Sequence, residues 1–564
     1  MSSSENDRAA ASPMRAHRVA DAIVGRLRAQ QVSHVFTVAG ESYLDVLDAL
    51  YDARDAIQVV TCRHEAAAAN MAEAVGKLGG RCGVAFVTRG PGLAHASIGV
   101  HTAHQDATPM VLFVGEISRE DRFRRAFQEV NLSVTFADLA KGVLQIDVAS
   151  RAGEIVDRAF QLAMAGRPGP VIVGLPEDVL GENCPQASGA PGRSFIGGVA
   201  PEAVREIAGR LGAARRPLVW VGGSEWSPAG IDALRVFAER WRLPVVTSFR
   251  RKDHFPNGHD CYAGELGFGT PPALIERLRG ADLILALGAA LGDVETGGYQ
   301  WLERAGTAAR LIHVHIDPQT LSAVFPAGLA VQASVNEVAA ALANVAPPAA
   351  AAPPWSAWTR AARADRVAFT HPVAVTGAVN LSLVFRELRA ALPETAIVTN
   401  GAGNYAAWLH RFFDHDAFRT QLAPGSGAMG YGVPAAIAAK LARPRDEVVC
   451  VAGDGCFLMA SQELATAAAM RLKIVFIVVN NGSYGTIRMH QENRFPGRTV
   501  GTNLANPDFT ALARAYGLHA ACVTATADFA AALGAARAQP GPALIELVTS
   551  VIDIAPGKRI EARG

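Results

Sequence analysis

Gly453-Asp454-Gly455 is followed, after 24 intervening residues, by Asn480-Asn481. These residue types at this spacing can hold a metal diphosphate. The carboxylate of Asp454, the amide oxygen of Asn481 and the main-chain carbonyl of Ser483 make an all-oxygen partial octahedron, a donor set that suits Mg²⁺ better than zinc. Gly453 and Gly455 let the backbone approach a diphosphate, and a helix opening near Phe457 points free N–H groups at its charge. Gly-Asp-Gly alone is also ordinary turn chemistry. The informative feature is the pair of motifs, each closing a hydrophobic run, EVVCVAGDG and KIVFIVVNN.

Two such runs joined by a helix place Asp454 and Asn481 at the carboxyl ends of neighbouring strands, where open α/β sheets gather their ligands. The same alternation of strand and helix patterns recurs along the chain. From residue 15 to 180 it includes VSHVFTV, AIQVVT, an Ala-rich helix from Glu65, GVAFVT, MVLFVG and VIVGLP; from 200 to 345, PLVWVGG, PVVTSF, LILALG and LIHVHID; from 372 to 555, AIVTNGAG, the two runs above and ALIELVT. The expected architecture is α/β, three doubly wound parallel-sheet domains in series. A Gly/Pro/Ser-rich link at 181–198 separates the first two, and the Ala/Pro-rich stretch that opens residues 346–371 reads as a linker before the third. Residues 1–14 read as a disordered tail, lacking the apolar core of a signal peptide.

Half of the 564 residues are hydrophobic, 19% are charged and the formal net charge is +1. That composition is globular, and its balance gives no reason to expect nucleic acid or an acidic membrane surface as partner. Seven cysteines without CxxC spacing argue against a disulfide framework or a zinc site and for a cytoplasmic home. No apolar run approaches bilayer-spanning length.

The chain resembles the thiamine diphosphate-dependent superfamily, in its acetolactate synthase large-subunit-like branch. The resemblance runs from about residue 16 to 554 and rests on RHEAAAANMAEA (63–74), TRGPG (88–92), AFQE (126–129), GRPGPVIVGLPED (166–178), GSGAMGYGVPAA (425–436) and the Asp454/Asn481 block. It implies a pyrimidine-binding, middle and diphosphate-binding order of domains, with thiamine diphosphate and Mg²⁺ as cofactors. That cofactor deprotonates itself through its aminopyrimidine when a carboxyl group bonds the pyrimidine N1′. Glu65 matches the residue that does so. Met429 matches the apolar residue under the cofactor's bend, and Gly427 the glycine whose carbonyl accepts the 4′-amino group. Gly403, Asn404 and Tyr405 stand where relatives contact the diphosphate, Cys456 replaces the usual serine, and Gly40, Pro91, Gly455, Tyr484, Gly485 and Thr486 complete the cofactor contacts. Asp454 and Asn481, with Ser483, form the metal set.

Phe127 and Gln128 keep the family's side chains near the thiazolium, with Gln128 a catalytic candidate. Three positions depart from the pattern: Arg89 replaces a serine, His95 an asparagine, and His490 occupies the approximate place of a tryptophan that shapes the acceptor pocket, where an imidazole could carry a proton. Glu65 and Asp454 lie 389 positions apart. In the family such residues meet across subunits, which implies a homodimer or homotetramer with shared sites. The implied activity is decarboxylation and carboligation of a small 2-oxo acid, acetolactate synthase-like. Alternatives are a related 2-oxo acid decarboxylase, an acyloin or 2-hydroxyacyl lyase with another acceptor, or a protein that holds the cofactor without turnover. Relatives hold a non-redox FAD against the middle domain. Residues 264–299 lack the GMHG and RFDDR runs associated with it, so FAD is the one cofactor that the resemblance leaves open.

Overall fold

The computed structural model describes residues 17–184, 189–192, 197–348 and 353–560; the expected tail at 1–14 lies outside them. Three six-stranded sheets follow one another along the chain, as expected. The first contains β1 His34–Thr37, β2 Gln58–Thr61, β3 Gly83–Val87, β4 Met110–Glu116, β5 Gly142–Gln145 and β6 Pro170–Pro176, in the order β2-β1-β3-β4-β6-β5. The second contains β7 Pro217–Val221, β8 Val245–Thr247, β9 Tyr262–Glu265, β10 Leu283–Leu287, β11 Leu311–His315 and β12 Leu329–Gln332, ordered β12-β11-β10-β7-β8-β9. The third contains β13 Ile397–Asn400, β14 Gln421–Leu422, β15 Val448–Gly453, β16 Ile474–Asn480, β17 His519–Val523 and β18 Ala543–Val548, ordered β14-β13-β15-β16-β18-β17. Every pairing is parallel.

Central strands are covered on both faces, which is why they read as unbroken apolar runs. All six residues of β15 and six of the seven in β16 are buried. The first and third domains share one hydrophobic core. Helix Glu65–Gly79 packs between helix Gly90–Gln105 of its own domain and helix Gly432–Ala442 of the third domain through small residues. A Cβ on Gly99 would lie 2.4 Å from that of Ala69, so the helix pair depends on that glycine.

One expectation needs correction. The stretch 346–371 is not simply a linker, because it holds helix Ser356–Phe369. Trp355, Trp358 and Thr359 recur at helical spacing, and their polar atoms bond the carbonyls of Trp241, Pro217 and Arg242, fastening the helix to the middle domain.

The domains are also joined by charge. Buried Asp106 of the first domain, paired with Lys77 of the same domain at 2.9 Å, also meets Arg251 of the middle domain, which lies 3.5 Å from its carboxylate and donates to its carbonyl at 3.0 Å. No helix among the described residues is long and apolar enough to cross a membrane.

Candidate active site

β15 and β16 are adjacent, with Gly453 beside Val479, so the two motifs that close them come together. Above them opens a cavity of about 250 Å³, and every predicted cofactor residue from Gly403 to Thr486 lines it. Asp454 Oδ1 accepts from Gly455 N–H at 2.9 Å; Oδ2 accepts from Gly482 N–H and from Asn506 Nδ2, both at 2.8 Å. Asn481 Oδ1 accepts from Ser483 N–H at 3.0 Å, tightening the turn that brings the Ser483 main chain to the cavity. Burial pushes the Asp454 carboxyl above its usual range, against the pull of these donors. A cation beside it would restore the charged form. An enclosed carboxylate, an amide oxygen and main-chain carbonyls fit Mg²⁺.

The cavity also fits a diphosphate. A Cβ on Gly455 would stand 2.4 Å from the Tyr484 ring, and one on Gly453 2.7 Å from that of Tyr405, so only glycine leaves the approach free. Gly427 has φ +71°, a left-handed turn that brings its backbone to the wall, with Met429 two residues on. Asn404 accepts from Thr486 Oγ1 at 2.9 Å across the cavity mouth.

Tyr405 and Cys456 contribute differently from the resemblance. The Tyr405 hydroxyl turns inward, accepting from Gly401 N–H at 3.0 Å and donating to Cys456 Sγ at 3.3 Å, while Gly430 N–H reaches the same sulfur at 3.2 Å. The thiol therefore ties three loops together below the cavity. Arg250 of the middle domain braces the same floor: buried, with φ +60°, its guanidinium donates to the carbonyls of Gly401, at 3.0 Å, and Pro424.

Glu65 opens helix Glu65–Gly79 after β2. Its carboxyl, 13% exposed, lies 2.9 Å from His95 Nδ1, and Oε1 faces Gly92, where a Cβ would come within 3.3 Å. His64, the residue before it, accepts from Ala66 N–H through Nδ1 at 3.1 Å. Glu463 of the third domain fixes this turn by accepting from the backbone N–H groups of Arg63 and His64, at 2.8 and 3.1 Å. Donor atoms of His64, Glu65 and His95 all lie within 4.8 Å of one another.

The structure does not bring all predicted residues together. Every residue lining the large cavity belongs to the third domain; Glu65, Gly40, Pro91 and Gln128 lie in the first. Gly40 packs on Thr88, Pro91 is exposed, and Gln128, at φ +64°, lines a small pocket with Arg89 and Glu116. Arg89 pairs with Glu41 at 2.6 Å and Glu177 at 3.3 Å. His490 is exposed on helix Gly485–Arg494 and does not line the cavity. Asn506, Arg250 and Glu463 belong to the site's support and stand in no motif. Asn506-Pro507, a turn pair beyond the metal block, was the one available signal.

Comparison with known proteins accords with this geometry. Residues 17–135, 204–342 and 401–547 match, in order, the N-terminal TPP binding domain, the central domain and the C-terminal TPP binding domain of thiamine pyrophosphate enzymes. The chain belongs to the thiamine pyrophosphate enzyme family. It is 33% identical over 94% of its length to an acetolactate synthase large subunit of Parasynechococcus marenigrum, covering 87% of that protein. It is 30% identical over 93% of its length to the acetolactate synthase isozyme 2 large subunit of Escherichia coli, covering 94% of it. Acetolactate synthase large subunit IlvB1 of Mycobacterium tuberculosis is 31% identical over 88% of this chain, with 82% of that protein covered.

Proposed function

We propose that this protein is a Mg²⁺- and thiamine diphosphate-dependent enzyme that decarboxylates a small 2-oxo acid and joins the remaining fragment to a second carbonyl compound, as an acetolactate synthase does. The observation that carries this reading is the convergence of Asp454, Asn481 and the Ser483 backbone on a cavity whose glycines admit a diphosphate. Asp454, Asn481 and the Ser483 carbonyl hold the metal. Met429 supports the bend of the cofactor, and Glu65 gives and takes a proton at the pyrimidine N1′. When bound, the cofactor supplies a carbon nucleophile and an electron sink for the departing carboxylate.

Because Glu65 lies outside the cavity of its own chain, we assign it to the cavity of a second copy, making the working unit a homodimer or a pair of dimers. Seven cysteines without CxxC spacing support a reducing, cytoplasmic setting. FAD is not part of this reading. Residues 264–299 lack the GMHG and RFDDR runs that the resemblance associates with it. The test is a screen for CO₂ release from 2-oxo acids with and without added aldehydes or second 2-oxo acids. Turnover should require both thiamine diphosphate and Mg²⁺, and cofactor-independent turnover would refute the proposal.

A further inference from the structure

His95 is where this chain departs from its family's pattern closest to the chemistry. Its Nδ1 lies 2.9 Å from Glu65 Oε2, the one side-chain hydrogen bond Glu65 makes among the described residues. The imidazole is held in turn. It packs in a tilted arrangement on His64, with ring centroids 4.5 Å apart and planes 32° from parallel. His64 is itself fixed at both ends: its Nδ1 accepts from Ala66 N–H, and its backbone N–H donates to Glu463.

We propose that His95 is a positioning residue for Glu65. By donating Nδ1–H to Oε2 it fixes the carboxyl so that Oε1, above Gly92, faces the pyrimidine of thiamine diphosphate. The inference rests on the function proposed above and adds to it a residue that touches neither metal nor diphosphate.

A glutamate side chain has three rotatable bonds, and proton transfer to N1′ needs one oxygen within hydrogen-bond reach of it. Glu65 opens a helix with its carboxyl 13% exposed, so backbone geometry alone does not choose between its rotamers. The bond to an imidazole packed on a second ring does choose. It also links the choice to the third domain, since Glu463 orders His64, His64 packs on His95, and His95 holds Glu65. Asparagine, the residue that the resemblance sets here, offers an amide donor that can make the same bond without the ring contact.

The test compares His95→Ala, His95→Asn and Glu65→Gln with the wild type, first without any substrate. Thiamine diphosphate affinity is read from tryptophan fluorescence in the presence of Mg²⁺, and the rate of deuterium exchange at C2 of the bound cofactor reports activation. His95→Ala should slow exchange about 10- to 100-fold, the worth of one hydrogen bond to a charged group. Affinity should change less than about threefold, because metal and diphosphate contacts are intact. His95→Asn should exchange within about threefold of wild type. At 53% exposure the His95 side chain is not part of a core, and thermal melts confirm that each variant is folded. Wild-type exchange in His95→Ala, with Glu65→Gln slow, would overturn this inference alone. Equal slowing by Ala and Asn would also overturn it, as a loss of packing. A wild type that does not bind thiamine diphosphate would overturn it together with the proposed function.

Discussion

The first and third domains have the same strand order, two-one-three-four-six-five within each sheet, yet the equivalent crevice is closed in one and open in the other. In the first domain Gly40, which follows β1, is packed so tightly on Thr88 that a Cβ would come within 2.5 Å, and Ser42 bonds Thr88 at 2.9 Å. In the third, Gly403 beyond β13 and Asp454 beyond β15 face each other across about 250 Å³. Topology supplies the place for a ligand; side-chain size and polarity decide whether it is used. The first domain puts its candidate catalytic group elsewhere, at Glu65 beyond the edge strand β2. On the proposed function, one copy of the fold would hold the charge and metal end of the cofactor, and the other the acid that activates it.

Five experiments bear on that comparison, in order of expected size. Glu65→Gln should lower kcat roughly 10²- to 10⁴-fold, as loss of general acid–base catalysis does, with cofactor affinity nearly unchanged. An equal fall in affinity would put Glu65 in the binding half. Asp454→Ala should weaken Mg²⁺-dependent cofactor binding by about 100-fold or more, measured by titration calorimetry. Co-expressing these two inactive variants should restore about a quarter of wild-type activity, because half of a random population is mixed dimers with one intact site each. No recovery would place both residues in one chain's site.

Gly455→Ala should cost about tenfold in cofactor affinity and about 1–3 kcal/mol of stability, since the new Cβ meets Tyr484. The same substitution should leave Glu65-dependent steps unaltered. The smallest effect concerns the closed domain. Burial pushes the Glu116 carboxyl, at the end of β4, up to about 7 despite Arg122 and Gln145 beside it. The folded state therefore binds this proton more tightly than the unfolded chain, and stability falls as pH rises from about 4.5 to 7. Glu116→Gln should flatten that slope, gaining about 1–2 kcal/mol at pH 8 relative to pH 4 in thermal melts. A variant that tracks the wild type at both pH values would mean that Glu116 ionises freely.

The open half of the site was readable from sequence because its parts are local. Gly453–Gly455 and Asn480–Asn481 each end a strand buried on both faces, and the unbroken apolar runs announce adjacent parallel strands. What supports the site was not readable. Arg250 reaches Gly401 across 151 positions and Glu463 reaches the Arg63 backbone across 400, contacts with no periodicity to betray them. The middle domain carried no chemical motif for the same reason: its contribution is a buried guanidinium gripping two carbonyls from another domain. Helix Ser356–Phe369 was hidden by the Ala/Pro run before it, and His490 looked central by alignment of motifs although its side chain is exposed.

Trp408 lines the open cavity and gives the most direct test of the division of labour. Its fluorescence should change saturably on adding thiamine diphosphate only when Mg²⁺ is present, in the wild type and in Glu65→Gln alike, and should not change in Asp454→Ala. A wild type indifferent to cofactor and metal together, or an Asp454→Ala variant that binds as well as wild type, would contradict the account.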